Sequence, residues 1–106
     1  MSASITAEGP LKYPARVSTY HGQQVVEGII IACMATRPNG TTYEHRIAFR
    51  DFRPETRALV AALKAGVTIR ASGFPVASVS PNMEGQVFAQ NVVSIDAHRG
   101  TLEVLP

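Results

Sequence analysis

The stretch TTYEHRIAFRDFRPETRALVAALKAG, residues 41–66, decides the fold class because it changes from the pattern of a strand to that of a helix. In its first part apolar and polar residues alternate, which is typical of a half-buried β-strand. Residues 54–64 then follow the rules for a helix, with Pro54 at a favourable first position and Gly66 just beyond the end. We predict a strand over residues 41–52 and a helix over residues 54–64.

Further strands are predicted on both sides of this helix, from β-branched stretches separated by turn residues. The predicted strands cover residues 15–20 (with a start at 5–7), 25–36, 41–52, 67–74 and 86–96. Residues 75–85 contain two prolines and are predicted as a long loop, and residues 100–106 as a short tail. Three strands, a helix and two strands is the element order of the OB fold. We therefore predict an all-β, five-stranded Greek-key barrel with one helix between strands three and four.

The composition describes an ordered chain of one domain. Its 106 residues are 45% hydrophobic and 17% charged, which excludes a disordered chain and a multi-domain enzyme. We predict a single domain spanning residues 1–106. The N-terminal sequence lacks a basic region followed by an apolar one, and the longest apolar run, residues 28–35, is too short to cross a membrane. We expect a cytoplasmic protein with no membrane partner.

The residues that usually carry catalysis are sparse. The single cysteine, Cys33, lies in an apolar run and is predicted to be a buried core residue. The three histidines are scattered, without the spacing of metal ligands, and neither a phosphate-binding glycine loop nor a nucleophile motif is present. We therefore predict no catalytic residue, no metal, no cofactor and no enzymatic activity.

The basic residues are mostly arginine. Ten Lys and Arg against eight Asp and Glu give a net charge of +2, and eight of these ten are arginine. Arginine binds phosphate with two parallel hydrogen bonds and also stacks on flat rings, so this usage favours a nucleic-acid partner. A high genomic GC content is the alternative explanation of the same composition.

The predicted third strand separates its residues onto two faces. Ile47 and Phe49 fall on one face, and Arg46 and Arg50 on the other, about 7 Å apart along the strand. If the apolar face turns inward, the two arginines point outward at nearly the spacing of successive phosphates in an extended single strand. The alternative is that both arginines are solvated or paired with neighbouring acidic residues.

Nucleic acid also needs ring faces for base stacking. Tyr20 and Phe74 are favoured because they lie where the ligand-gripping loops of an OB fold emerge, although both could instead pack at the end of the barrel. The candidate nucleic-acid-binding residues are Lys12, Arg16, Tyr20, Arg37, Arg46, Arg50, Arg70, Phe74 and Phe88.

Four segments of the chain resemble bacterial single-stranded DNA-binding proteins. They are SITAEGPLKYPARVSTYHGQQVVE (4–27), YEHRIAF (43–49), LKAGVTIRASG (63–73) and VFAQNVVSID (87–96). The resemblance covers nearly the whole chain in the right order, and its most specific parts are His45-Arg46, Gly66 with Gly73, and residues 89–92.

The resemblance implies an OB fold that binds single-stranded DNA without sequence preference in replication, restart or recombination. It also implies a homo-oligomer, a dimer or a tetramer, with Arg46, Ala48 and Arg50 on the DNA-facing side. The chain departs from the family pattern, because Glu44 and, approximately, Arg37 replace two tryptophans, and Arg50 replaces another aromatic residue.

The 106 residues contain no flexible linker or acidic tip of the kind by which the family recruits other replication proteins, so among expected partners we count such proteins but not recruitment through a tail. A short, tail-less member resembles the primosomal replication protein N type, and equally the divergent copies carried by phages and mobile elements. The alternative function is that of an oligomeric protein-interaction module without nucleic acid, which the missing tryptophans and the low net charge favour.

Overall fold

The computed structural model describes residues 4–81, 87–97 and 99–106, without the side chains of residues 78–81 and 87–90. The elements, in chain order, are β1 (Ile5–Pro10), β2 (Arg16–Tyr20), β3 (Gln23–Thr36), β4 (Thr42–Asp51), the helix α1 (Pro54–Arg57), a 3₁₀ turn (Val60–Ala62), β5 (Thr68–Pro81), β6 (Val87–Ile95) and β7 (Thr101–Val104). The fold is therefore all-β and consistent with an OB fold, with seven described strands where the sequence predicts five.

The strands form a sheet in the order β1-β5-β6-β4-β3-β2, with β7 also pairing with β5. The β4–β6 pair is parallel and the other pairs are antiparallel. The chain after β1 returns to β3, where Leu11 bridges to Ile30 and the Lys12 N–H donates to the Ile29 carbonyl at 2.8 Å. The sheet therefore curls, so that β1 contacts both β5 and β3.

The core lies inside this curl. Phe49 on β4 is fully buried and Ile47 packs against the same cluster, so the predicted inward face of this strand is confirmed. Gly28 lies opposite Phe49 in the β3–β4 register, and a Cβ there would stand 2.7 Å from the Phe49 ring. Glycine at this position thus lets the ring pack directly against the backbone of β3.

The predicted helix over residues 54–64 is wrong in length. Only Pro54–Arg57 is α-helical, and Val60–Ala62 forms a 3₁₀ turn. Leu63 is buried as expected, but Leu59 is 56% exposed. The apolar face is therefore too narrow to hold a longer helix against the core, and a short helix has little stability of its own.

The predicted loop over residues 75–85 is also wrong for its first half. β5 continues through Pro81 and pairs with β6, with Pro75 opposite Val93. In this half β5 pairs only with β6 among the described strands, so a proline without an N–H is tolerated on its free side. Residues 82–86 lie outside the described part of the chain. At the other end, the predicted tail contains β7, which pairs with the first half of β5.

Cys33 is exposed, which corrects the prediction that it is a core residue. The pairing of β3 with β4 shifts register between Ile31 and Cys33, and the buried part of β3 ends at Ile30. The distal part of this long hairpin therefore extends beyond the core, and an apolar sequence there is not evidence of burial.

Candidate nucleic-acid interface

The outer faces of β2, β3 and β4 carry a row of charged side chains, which we name the charged face. In the strand register Arg16 lies opposite Glu27, and Glu27 lies opposite Arg50. Side chains directly opposite one another point to the same side of a sheet. The Arg16 Nε donates to the Glu27 Oε1 at 2.9 Å, while 77% of the Arg16 side chain remains exposed.

Arg50 is positioned by an aromatic ring. Its guanidinium lies 4.1 Å from the centre of the Tyr20 ring, and Tyr20 in turn contacts Phe52 edge-on at 6.3 Å. Among the residues that the structure describes, no carboxylate lies within ion-pair distance of Arg50. Because a ring orients a guanidinium without neutralising it, Arg50 can present its positive charge to an anion on this face.

Glu44, near the other end of β4, forms ion pairs with two other candidate residues. The Lys12 Nζ donates to its Oε1 and the Arg46 Nε to its Oε2, both at 2.9 Å. The hydrogen bond from Lys12, assisted by that from Arg46, lowers the pKa of Glu44, although partial burial of the carboxyl acts in the opposite direction. At neutral pH Glu44 is therefore an anion that competes with phosphate for both cations.

Arg37 lies at the tip of the β3–β4 hairpin. Its guanidinium is 4.6 Å from the centre of the Tyr43 ring, and its backbone N–H donates to the Thr41 carbonyl at 2.8 Å. No carboxylate in the described ranges pairs with Arg37. Arg37 and Arg50 therefore share one arrangement, a guanidinium stacked on tyrosine.

Arg70 lies in a different part of the molecule. It is on the half of β5 that pairs with β1 and β7, and it contacts Glu8 at 2.8 Å and Glu103 at 3.6 Å. The strand β6 separates β5 from β4 in the sheet order. The structure therefore does not bring Arg70 together with the charged face.

A cavity of about 480 Å³ opens on the charged face, and we name it the Tyr13 cavity. Its lining residues are Tyr13, Pro14, Arg16, Glu27, Gly28, Ile29, Ala48, Phe49 and Arg50. Tyr13 is 53% exposed, so its ring is accessible from solvent. The cavity thus combines an aromatic ring and apolar side chains with a few charged groups, a composition typical of small-molecule sites.

A second, more open cavity of about 720 Å³ is lined by the start of β3, the end of α1, and the paired parts of β5 and β6. Phe52, Phe74 and Arg57 are among its lining residues, and the Arg99 guanidinium covers the Phe74 ring at 3.9 Å. Phe74 therefore lines this cavity from within β5, not from the mouth of a loop, and one face of its ring is already covered by Arg99. The side chain of Phe88 lies outside the described part of the structure.

Sequence reasoning did not select Tyr13 or Phe52, and it gave pairing with neighbouring acidic residues only as the alternative, which holds for Arg46 through Glu44. Tyr13 lies between Lys12 and Pro14 in a segment without strand periodicity, and that is a sign of an exposed ring. The pairing of Lys12 with Glu44 has no signal in the sequence, because the two residues are 32 positions apart and meet only through the return of the chain to β3.

Two other features, a metal site and a membrane-spanning helix, are absent from the described residues. Within residues 4–81, 87–97 and 99–106, no group of three or more His, Cys, Asp or Glu side chains is arranged to hold a metal ion. No helix in the same ranges has the length and apolar character needed to span a membrane.

Comparison with known proteins identifies the fold. No family model and no curated protein sequence matches the chain. A Plasmodium falciparum single-stranded DNA-binding protein, solved in complex with single-stranded DNA, is 15% identical with a TM-score of 0.68, over 100% of this chain and 96% of that one. A small single-stranded DNA-binding protein from Streptomyces coelicolor is 11% identical with a TM-score of 0.72, over 98% and 94% of the two chains.

A third similar structure is the mitochondrial single-stranded DNA-binding protein of S. cerevisiae. It is 13% identical with a TM-score of 0.60, over 99% of this chain and 96% of that one. At these identities the likeness is one of fold, and it extends over almost the full length of all three proteins.

Proposed function

We propose that this chain is an OB-fold protein, a single domain over residues 1–106, that binds single-stranded DNA on its charged face. The observation that carries the proposal is the arrangement of Arg50, which is stacked on Tyr20 and free of any carboxylate partner among the described residues. Arg50 also lines the Tyr13 cavity, whose Tyr13 ring is exposed. Phosphate contacts and base stacking are the two interactions by which OB folds hold single strands.

The paired cations of this face fit the same function. Arg16 and Arg46 each make a partly exposed ion pair, and such pairs contribute about 0–1 kcal/mol. A phosphate can therefore replace the carboxylate at little cost. We place the activity in replication, restart or recombination, each of which exposes single strands, and we propose a dimer or a tetramer by analogy with the fold. Solution mass measured with and without an oligonucleotide tests the assembly.

The direct test is a titration of the protein with a labelled oligothymidylate and with duplex DNA, followed by fluorescence anisotropy at several salt concentrations. We expect micromolar or tighter binding of the single strand, weak binding of the duplex, and a log affinity that falls by about 0.7 per phosphate neutralised as log salt rises. Equal binding of both, or a salt-independent affinity, would contradict the proposal.

A protein-interaction module is the second candidate, and the ion pairs of Lys12, Arg16 and Arg46 favour it. Such a module has no need of free cations, and these ion pairs would offset part of the positive charge of the face. The titration separates the two functions, because the module binds neither the single strand nor the duplex at low salt.

A further inference from the structure

The Tyr13 cavity contains a hydrogen-bond acceptor with spare capacity. Glu27 lines this cavity, and its side chain is only 25% exposed. Its Oε1 accepts from Arg16, whereas its Oε2 accepts from no group in the part of the chain that the structure describes. An ionised carboxylate has about four acceptor sites and no donor, so this lining residue keeps capacity for further donors.

The rest of the cavity suits a flat ring. Ile29 and Ala48 are opposite each other in register and supply apolar surface, and the exposed Tyr13 ring supplies a stacking partner. Arg16 and Arg50 belong to the strands on either side of Glu27. The single carboxylate is therefore flanked by two guanidinium groups that can each bind a phosphate of an adjoining nucleotide.

From this arrangement, and resting on the proposed function, we infer that the Tyr13 cavity binds one base of the strand and prefers bases that carry an exocyclic amino group. Guanine presents two adjacent N–H donors on its Watson–Crick edge, and cytosine and adenine each present an amino group. Thymine presents two carbonyl oxygens around one N–H. An acceptor-only group such as Glu27 attracts the donors and repels the carbonyls.

The preference acts at one nucleotide position and leaves the phosphate contacts unchanged. The chain would still bind any single strand, but strands that offer an amino-bearing base to Glu27 would bind more tightly. Hydrogen bonds to a base edge discriminate most strongly in well-formed, buried sites, so about a fivefold to tenfold difference is expected for a partly exposed carboxylate.

The experiment measures the affinities of three oligonucleotides of equal length in competition: oligothymidylate, oligodeoxycytidylate, and oligothymidylate with guanine at every third position. We expect wild-type protein to bind the two amino-bearing strands about fivefold to tenfold more tightly than oligothymidylate. In the Glu27→Gln variant the side-chain amide can both donate and accept, so the preference should disappear. Glu103→Gln, which removes an exposed carboxylate next to Arg70, is the matched control and should keep it.

A further strand, with inosine in place of guanine, removes only the 2-amino group and needs no variant. Loss of part of the guanine preference on wild-type protein supports the inference even if Glu27→Gln is poorly folded. Equal affinities of wild type for all strands, or an unchanged preference in a folded Glu27→Gln variant, would overturn the inference and leave the proposed function intact. If wild type binds none of the strands, both fail together.

Discussion

The two ends of β4 each carry a carboxylate, and their surroundings differ. Asp51 is fully buried and accepts hydrogen bonds from four donors: the Arg53 backbone N–H and Nε at 3.0 Å each, the Arg53 Nη2 at 2.8 Å and the Thr56 hydroxyl at 2.7 Å. Glu44 is 21% exposed and binds Lys12 and Arg46. Solvent therefore reaches the carboxylate of Glu44 but not that of Asp51.

This difference in burial determines which ion pairs can exchange a partner. Asp51 fixes the start of α1, and its hydrogen bonds raise the pKa of Arg53 against the opposing effect of burial. If Arg53 moved away, the Asp51 carboxylate would remain as an unpaired charge in a buried site. Glu44 lies at the surface, where water can replace either partner, so an ion pair there does not remove Arg46 from the set of phosphate-binding residues.

The largest expected effect is on stability, from Asp51→Ala. The substitution leaves the Arg53 guanidinium and the Thr56 hydroxyl without their acceptor in a buried site, so the free energy of unfolding should fall by about 3–5 kcal/mol. Urea denaturation measures the loss. The exposed pair of Arg70 gives the control, since Glu103→Ala should cost less than about 1 kcal/mol. A similar, small loss for both variants would remove the distinction between the two classes of ion pair.

The next effect is on DNA binding, from the joint change of Arg46 and Arg50 to Ala. Two lost phosphate contacts should reduce the slope of log affinity against log salt by about 1.4, with a melting temperature close to that of wild type. Arg70→Ala should leave the slope unchanged, because Arg70 lies on the β1–β5–β7 part of the sheet. If the double variant unfolds, the two arginines are structural and the assignment of the charged face is wrong.

A smaller effect, an increase in DNA affinity instead of a decrease, is expected from Glu44→Gln. Removing the carboxylate releases Lys12 and Arg46 from an internal competitor, so binding of oligothymidylate should become tighter and its salt slope steeper. Glu103→Gln is again the control and should change neither quantity. Weaker binding by Glu44→Gln would show that Glu44 positions the two cations for DNA.

The smallest effect is the pH dependence of the Glu44 ion pairs. The pKa of Glu44 is lowered from its ordinary value of 4.5, so the pairs stabilise the fold above that pH and lose this contribution as the pH falls through the lower, folded-state pKa. The difference in unfolding free energy between wild type and Glu44→Gln should therefore shrink between about pH 5 and pH 3. Urea denaturation across this range tests it, and a difference that grows toward pH 3 would have the wrong sign.

The sequence predicts the faces of β4 well, because alternation fixes side-chain direction once a strand has one buried face. Phe49 is buried and Arg46 is exposed, as expected. It predicts elements less well where tertiary contacts outweigh local preference, as in the shortened helix and in the strand that continues through Pro75.

The candidate site is predictable only in part, for a different reason. The alternation of side chains along a strand places the cations on one face. The carboxylate that each cation contacts depends on the register between strands and on the return of the chain after β1. Arg16 meets Glu27 through the β2–β3 register, and Lys12 meets Glu44 across 32 residues of sequence. Neither pairing has a periodicity that a single sequence can show.

The exposed position of Cys33 has a practical consequence. It is the chain's one thiol, it stands on the part of the β3–β4 hairpin that extends beyond the core, and the chain has no tryptophan. A maleimide dye attached there would give every molecule one fluorophore at a defined place. Energy transfer from this dye to a labelled oligonucleotide would then measure how far the ends of a bound strand lie from the hairpin.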